Sequence, residues 1–255
     1  MSVLGIGPVV SLPNLRKVKS GVEYVCWTRM QAEAGQPLEA IIARKELERQ
    51  AGGGMFCWGV GNAPAVITNS LARLGHPVLA VFSIMKSKPK SADVKPARIV
   101  VWQNYFDAHG AERPLPPHVL VTSRGDSNRG PKERHFALMC WSERPLELER
   151  GIPFDPTAFR NAGRSGAPVG ASQVTTLLQR TAPSSTNTHY EANLQAWLVG
   201  SYWVRLSNPL ELSLAALEEI TACPPSHKNW LGFVNRIRQT SAALDCNTIP
   251  DSSLI

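Results

Sequence analysis

The chain has 255 residues, of which 43% are hydrophobic and 18% are charged, and these are ordinary values for a globular protein. They exclude a disordered or fibrous chain, and the length allows one large domain or two small ones that fold without metals or disulfides. The 27 basic residues outnumber the 20 acidic ones, and the net charge of +7 favours a polyanionic partner such as nucleic acid.

The N-terminal stretch "MSVLGIGPVVSLPNLRKVKSG" carries its positive charges after its apolar part, whereas a secretory signal carries them before it. No apolar run approaches the roughly 18 residues that a transmembrane helix needs. We therefore expect a cytoplasmic protein with no membrane partner. The five cysteines are scattered without a C-x-x-C pair, so we expect buried free thiols and neither a metal nor a cofactor.

The N-terminal two thirds of the chain is dominated by predicted strands, because β-branched and aromatic residues run together there. One helix interrupts them over about residues 37–51, where Pro37 stands near the start, apolar residues recur at helical spacing and a glycine run follows. The predicted strands cover residues 22–28, 55–60, 78–84, 98–102, 118–123 and 135–141.

After about residue 150 the sequence becomes rich in Gly and Pro and then shows helical patterns. Helices are predicted at about 171–180, 188–203, 210–221 and 226–243. The expected fold is α+β or α/β, with a mainly β sheet over about residues 20–145 and a helix-rich C-terminal part packed on it. Residues 1–150 would form a strand-rich, nucleic-acid-binding core, and residues 151–255 a helical region packed with it as one unit.

The stretch "GGGMFCWGVGNAPAVITNS" predicts a buried strand that ends at Gly59 and Gly61. Asn62 then occupies the N-cap position of a short helix, and Pro64 fits its first turn. A helix N-terminus reached through glycines suits an anion, because its unpaired N–H groups point outward. The alternative is that Asn62 only caps the helix and Gly61 only makes the turn.

Gly61-Asn62-Ala63-Pro64 resembles the first motif of the uracil-DNA glycosylase superfamily, a glycine, polar residue and proline turn after the first core strand. The resemblance implies that the side chain of Asn62 positions the hydrolytic water. It covers about ten residues, and the following position is Ala65, where that family often has glycine. The family's second motif, a histidine and serine loop that enters DNA, is not found.

Aromatic strands such as "GMFCWGVG" and "VLAVFSIMKSKPK" are also similar to PUA-like barrels, including the EVE and YTH groups, over about residues 20–145. That resemblance implies binding of an everted modified base in an aromatic cage. Both resemblances imply that a base is held outside the stack, and stacking requires flat faces together with polar groups for the base edge. The candidate base-pocket residues are Trp58, Gly59, Gly61, Trp102, Asn104 and Tyr105.

Two basic loops, "KSKPKSADVKPAR" and "SRGDSNRGPKERH", are suited to a phosphate backbone, although each could equally be a solvated connection between strands. The candidate backbone contacts are Lys86, Lys88, Lys90, Lys95, Arg98, Arg124, Arg129 and Lys132.

Hydrolysis of an N-glycosidic bond needs a carboxylate or amide that orients water and a donor for the departing base. Asn62, Asp107 and Glu191 are the candidates for the first role, and His189, Asn104 and His109 are the candidates for the second. His189 and Glu191 could instead cap a helix.

The leading hypothesis is a DNA glycosylase that acts on modified bases in repair or antiphage defence. The alternatives are a non-catalytic PUA-like reader of a modified base and a protein-interaction scaffold.

Overall fold

A computed structural model describes residues 24–32, 36–61, 77–85, 99–124, 135–146, 151–154, 159–161, 175–180, 194–222 and 226–245. Within these ranges the helices are α1 (Leu38–Ala51), α2 (Leu214–Thr221) and α3 (Trp230–Asp245). The strands are β1 (Tyr24–Met30), β2 (Met55–Gly61), β3 (Pro77–Ile84), β4 (Ile99–Phe106), β5 (Glu112–Pro114), β6 (Thr122–Arg124), β7 (His135–Trp141), β8 (Ile152–Phe154), β9 (Phe159–Asn161), β10 (Thr175–Arg180) and β11 (Leu194–Glu211).

The strands form one large mixed sheet, and the predicted α+β class is confirmed. Its main path runs β2-β7-β11-β3-β1-β10-β9, and β4 joins it through β11. Strands β1 and β3 are parallel, and the other described pairings are antiparallel. Two of the three described helices follow the last strand and lie in the C-terminal part of the chain.

Strand β11 is the central element of the sheet, with 18 residues. Along one edge it pairs with β8 and then with β7, and along the other with β3 and then with β4. The edges can be assigned because Ala196 pairs with both β3 and β8, Gly200 pairs with both β3 and β7, and Arg205 pairs with both β4 and β7. A strand from the C-terminal part of the chain therefore joins strands from the N-terminal part.

The helices predicted over residues 171–180 and 188–203 were wrong, since β10 and most of β11 occupy those segments. Leu194, Trp197 and Leu198 stand at helical spacing, but Val199 and Trp203 are buried on one face of β11 and Val204 on the other. A strand buried on both faces shows no alternation of polar and apolar residues, so its sequence is easily read as a helix.

The other predicted elements are close to the observed ones. Helix α1 begins and ends within a residue of the prediction, and β7 spans the predicted residues 135–141. The helices predicted at 210–221 and 226–243 are α2 and α3, and Ser213 sets the start of α2 by accepting a hydrogen bond from the Ala216 N–H at 3.1 Å. The strand predicted at 118–123 is shorter and later, because β6 begins at Thr122.

Strands β2, β7 and β11 separate two apolar cores. In β7, the side chains of Phe136, Leu138 and Cys140 enter one core, together with Phe82 and Trp203. Ala137 and Met139 enter the other. Alternate residues of one strand point to opposite faces, so the side chains of β7 alternate between the two cores. Helix α1 covers the first core, and β4 with the segment before β6 covers the second.

A buried ion pair fastens α1 to this frame. The Glu48 carboxylate is fully buried, lies 2.5 Å from the Lys45 ammonium, and accepts hydrogen bonds from the N–H groups of Cys57 at 3.0 Å and Leu120 at 3.1 Å. The Lys45 ammonium also donates to the Leu120 carbonyl at 2.8 Å. Burial raises the pKa of Glu48, and the Lys45 charge opposes that rise. Both charges are thus compensated, as a buried pair requires.

Helices α2 and α3 pack against β4 and hold the segment between β5 and β6. The indole N–H of Trp230 donates to the His118 carbonyl at 2.7 Å, and Arg238 donates to the Val119 carbonyl at 2.7 Å. None of the helices in the described ranges is long and apolar enough to cross a membrane. Cys26, Cys57 and Cys140 are buried free thiols, as expected, and burial raises the pKa of Cys26 and of Cys57 to about 12.

Candidate functional site

An aromatic cavity lies between α1 and the sheet. The cavity volume is about 10 Å³, and the wider recess around it, open solvent included, has about 280 Å³ of space between atoms. Each lining side chain that the structure describes is apolar, and the lining residues are Met30, Ile42, Phe56, Trp58, Phe82, Leu146 and Trp197. A volume of about 10 Å³ holds one water-sized sphere, so a flat ring fits only against the open side of the cavity or by displacing lining side chains.

The rings of the cavity support one another. The Trp58 ring meets Phe82 edge to face, with centroids 5.2 Å apart and planes at 66°, and Phe56 lies 6.3 Å from the same Phe82 ring. Such tilted pairs add to the stability gained from burial and fix the ring planes. Trp58 is partly buried, so part of its surface is accessible. The cavity therefore presents an ordered aromatic wall.

The cavity adjoins the carboxyl ends of the two parallel strands. Met30 is the last residue of β1, Phe82 stands two residues before the end of β3, and the Met85 N–H donates to the Met30 carbonyl at 2.8 Å. The first basic loop, over residues 86–98, leaves β3 directly after Met85. The sequence thus connects the cavity to five basic residues, which themselves lie outside the described residues.

A second feature, which we call the glycine corner, is formed by Gly59, Gly61, Trp102, Ser123 and His135. The imidazole of His135 stacks on the Trp102 indole at 5.0 Å and 22°, and the indole N–H donates to the Ser123 hydroxyl at 2.9 Å. A methyl group on Gly59 would lie 3.2 Å from the Val121 side chain and 3.7 Å from the His135 ring. Because residue 59 is a glycine, the Val121 side chain and the His135 ring can lie close to the β2 backbone.

Gly61 ends β2 with a φ of 71°, in the left-handed region that favours glycine. The register of β2 against β7 shifts between Gly59 and Gly61, which marks a bulge. The next residue, Asn62, lies outside the described residues. The second basic loop joins β6 to β7 and so ends at the same corner, at His135.

The structure separates the predicted base-pocket residues. Trp58 lines the aromatic cavity, whereas Gly59, Gly61 and Trp102 belong to the glycine corner on the opposite face of the sheet. Trp102 is 3% exposed, so its faces are occupied by neighbouring side chains.

The neighbours of Trp102 further along β4 have other partners. The Asn104 amide donates to the Glu112 carboxylate at 3.1 Å, on the exposed β4–β5 hairpin. Tyr105 packs against the core beneath the hairpin, and burial raises the pKa of its hydroxyl.

Asp107 organises the turn of that hairpin. Its carboxylate accepts hydrogen bonds from the N–H groups of His109 and Ala111, both at 2.9 Å, and pairs with Arg113 at 3.1 Å. These donors lower the pKa of Asp107, with the Ala111 N–H contributing most. The carboxylate is therefore engaged in local structure.

The remaining predicted site residues lie largely outside the described part of the chain. Arg124 is described only as the last residue of β6. The predicted residues outside the described ranges are Asn62, Lys86, Lys88, Lys90, Lys95, Arg98, Arg129, Lys132, His189 and Glu191.

Sequence reasoning missed most of the cavity wall. Phe82 was placed on a strand but not in a site, and Trp197 was assigned to a helix. Trp197 and Phe82 face each other across β11 and β3, a pairing between residues more than a hundred positions apart in the sequence. No local signal in the sequence reveals such a pairing.

The architecture and cavity define an α+β protein with a mixed sheet and an apolar aromatic pocket. Comparisons with protein-family models, curated proteins and solved structures found no match. In the part of the chain that the structure describes, no group of three His, Cys, Asp or Glu side chains could hold a metal ion.

Proposed function

We propose that this protein binds nucleic acid as a non-catalytic reader and holds one base outside the stack, against the open side of the aromatic cavity where Trp58 is partly accessible. The observation that carries the proposal is the cavity itself: an ordered wall of Trp and Phe rings at the carboxyl ends of β1 and β3, where a lysine-rich stretch of sequence follows β3. Stacking of a base on an aromatic side chain contributes about 1–3 kcal/mol, whatever the base.

The lining chemistry favours binding over reaction. Each described side chain of the wall is apolar, so none of them orients a water molecule or transfers a proton. Asp107, the one predicted catalytic carboxylate within the described residues, is engaged in its own turn. The basic excess of seven charges supplies attraction to phosphates, and the flat rings supply affinity for a base.

A second candidate, the DNA glycosylase, is favoured by one observation. Gly61 has a positive φ and ends a core strand, which is where the glycosylase-like turn would begin. On that account Asn62 positions water beside the everted base.

One experiment separates the candidates. The protein is mixed with duplexes that are unmodified or contain uracil, methylated, hydroxymethylated or glucosylated bases. Filter retention is measured over a range of salt concentrations, and the recovered DNA is heated in alkali. A reader retains one modified duplex, less strongly as salt rises, and leaves its strands intact.

Strand breaks after alkali would establish the glycosylase and remove the reader. Retention of no duplex, or retention that does not depend on salt, would refute both proposals and leave the interaction scaffold. The control is Trp141→Leu, which alters a tryptophan that is 41% exposed on β7 and does not line the cavity. We expect this variant to behave as the wild type does.

A further inference from the structure

Arg205 is a charged residue at the middle of the sheet. It is half-buried on β11, with a β7 residue on one side and a β4 residue on the other. No described carboxylate pairs with it, and its side chain donates no hydrogen bond to any described residue. Its Nε atom is buried and has no partner. A guanidinium carries five N–H donors, so Arg205 retains unused donor capacity.

The guanidinium is nevertheless held in place. Its central carbon lies 4.0 Å from the centroid of the Phe106 ring, a cation–π contact that orients the planar group. Phe106 is directly opposite Arg205 in the β4–β11 register. The contact removes much of the side chain's rotational freedom before any ligand arrives. A guanidinium group whose orientation is already fixed loses less conformational entropy when it binds a planar or tetrahedral oxyanion.

A cross-strand row relates the Arg205 backbone to Gly61, and the Arg205 side chain lies on the face of the sheet opposite the glycine corner. The register connects Gly61 on β2 to Phe136 on β7, then to Arg205 on β11 and Phe106 on β4. Two strand spacings separate Arg205 from Gly61, which is roughly 10 Å. Arg205 also lies two residues after Trp203, on the same face of β11, and Trp203 shares the apolar core of Trp58.

We propose that Arg205 binds a phosphate oxyanion, with its outer N–H groups donating to two phosphate oxygens while Phe106 supports the guanidinium plane. Bidentate arginine is well suited to this geometry. The inference deepens the proposed function, since a phosphodiester of bound nucleic acid would be the ligand. A free phosphate or a phosphorylated small molecule shares the same chemistry, and the experiment separates these sources.

The test compares wild type with Arg205→Gln and a matched control, Arg236→Gln. Arg236 is an exposed arginine paired with Glu219 on α2, so the control loses the same charge elsewhere. Each protein is titrated with the best-retained duplex over a range of salt concentrations. In a separate experiment, its melting temperature is measured as inorganic phosphate is added at constant ionic strength. A circular dichroism spectrum confirms that each variant is folded.

We expect Arg205→Gln to bind the duplex about tenfold more weakly, with a salt slope smaller by about 1, as befits one lost phosphate contact. The control should bind like wild type. Phe106→Leu should give an intermediate loss, since the charge remains and its support is gone. If no duplex binds but phosphate stabilises wild type and not Arg205→Gln, the oxyanion site stands while the nucleic-acid function fails. Equal responses of both arginine variants and wild type to both probes would overturn the inference.

Discussion

The Glu48→Gln substitution tests the ion pair that fastens α1 over the cavity. One carboxylate oxygen receives the Lys45 ammonium and the Leu120 N–H, and the other receives the Cys57 N–H. An amide keeps one acceptor and turns an N–H group toward one of these donors. It also removes the charge that compensates Lys45, which is itself buried and keeps only the Leu120 carbonyl.

Breaking a buried pair by removing one partner costs about 3–5 kcal/mol, because the remaining charge is uncompensated. Glutamine retains the size of glutamate and one acceptor, and Lys45 retains one hydrogen bond, so we expect the lower end, about 3 kcal/mol. For a chain of this length that loss lowers the melting temperature by roughly 6–12 °C. Such a loss is a large part of the total stability of a typical domain.

The assay is urea unfolding followed by circular dichroism at pH 7, with Glu219→Gln as the control. Glu219 pairs with Arg236 on the surface, so its loss should leave the midpoint unchanged within error. A Glu48→Gln midpoint equal to wild type would refute the reasoning, because it would mean that Glu48 carries no charge on which Lys45 depends.

Two further predictions concern the segment around His118. Gly52→Ala should destabilise the protein by about 2–3 kcal/mol in urea unfolding, since its methyl group would lie 2.7 Å from the Met55 carbonyl and overlap the His118 ring. The control is Gly53→Ala, whose methyl group meets no atom within 4 Å. This control should cost only about 1 kcal/mol of backbone strain. Burial, together with the Arg238 and Lys45 charges, lowers the pKa of His118, so its contribution is complete above the unfolded value near 6.5 and is lost as pH falls below it. Unfolding free energies over pH 5–8 should show this decline, and His118→Gln should flatten it; identical curves would contradict the assignment.

Local sequence signals predicted those elements whose own residues determine them. Helix α1 carries a proline start, a helical period and a glycine stop, and all three agree with the structure. Strand β7 is rich in apolar residues over a length typical of strands. By contrast, β11 is defined by its partners on both edges, and its sequence carries helical spacing by coincidence. Burial on both faces removed the alternation that identifies a strand.

The same distinction holds for the candidate site. Trp58 was selected because it stands just before the glycine bend, and the structure places it in the cavity wall. Trp102 was selected by the same reasoning about strand ends, yet it is buried beneath His135 on the other face. Which face a side chain occupies depends on register, and one residue of register exchanges the two faces. The sequence gives no signal for Arg205, because only the structure shows that none of the described carboxylates pairs with it.

The most direct test of the central claim is the affinity of wild type, Trp58→Leu and Trp141→Leu for two versions of the best-retained duplex, one with the modified base and one with an abasic site in its place. Wild type and Trp141→Leu should prefer the base-containing duplex by about tenfold or more, the equivalent of one stacked base. Trp58→Leu should bind both duplexes equally. A Trp58→Leu protein that keeps the full preference would contradict the claim that the aromatic cavity holds the base.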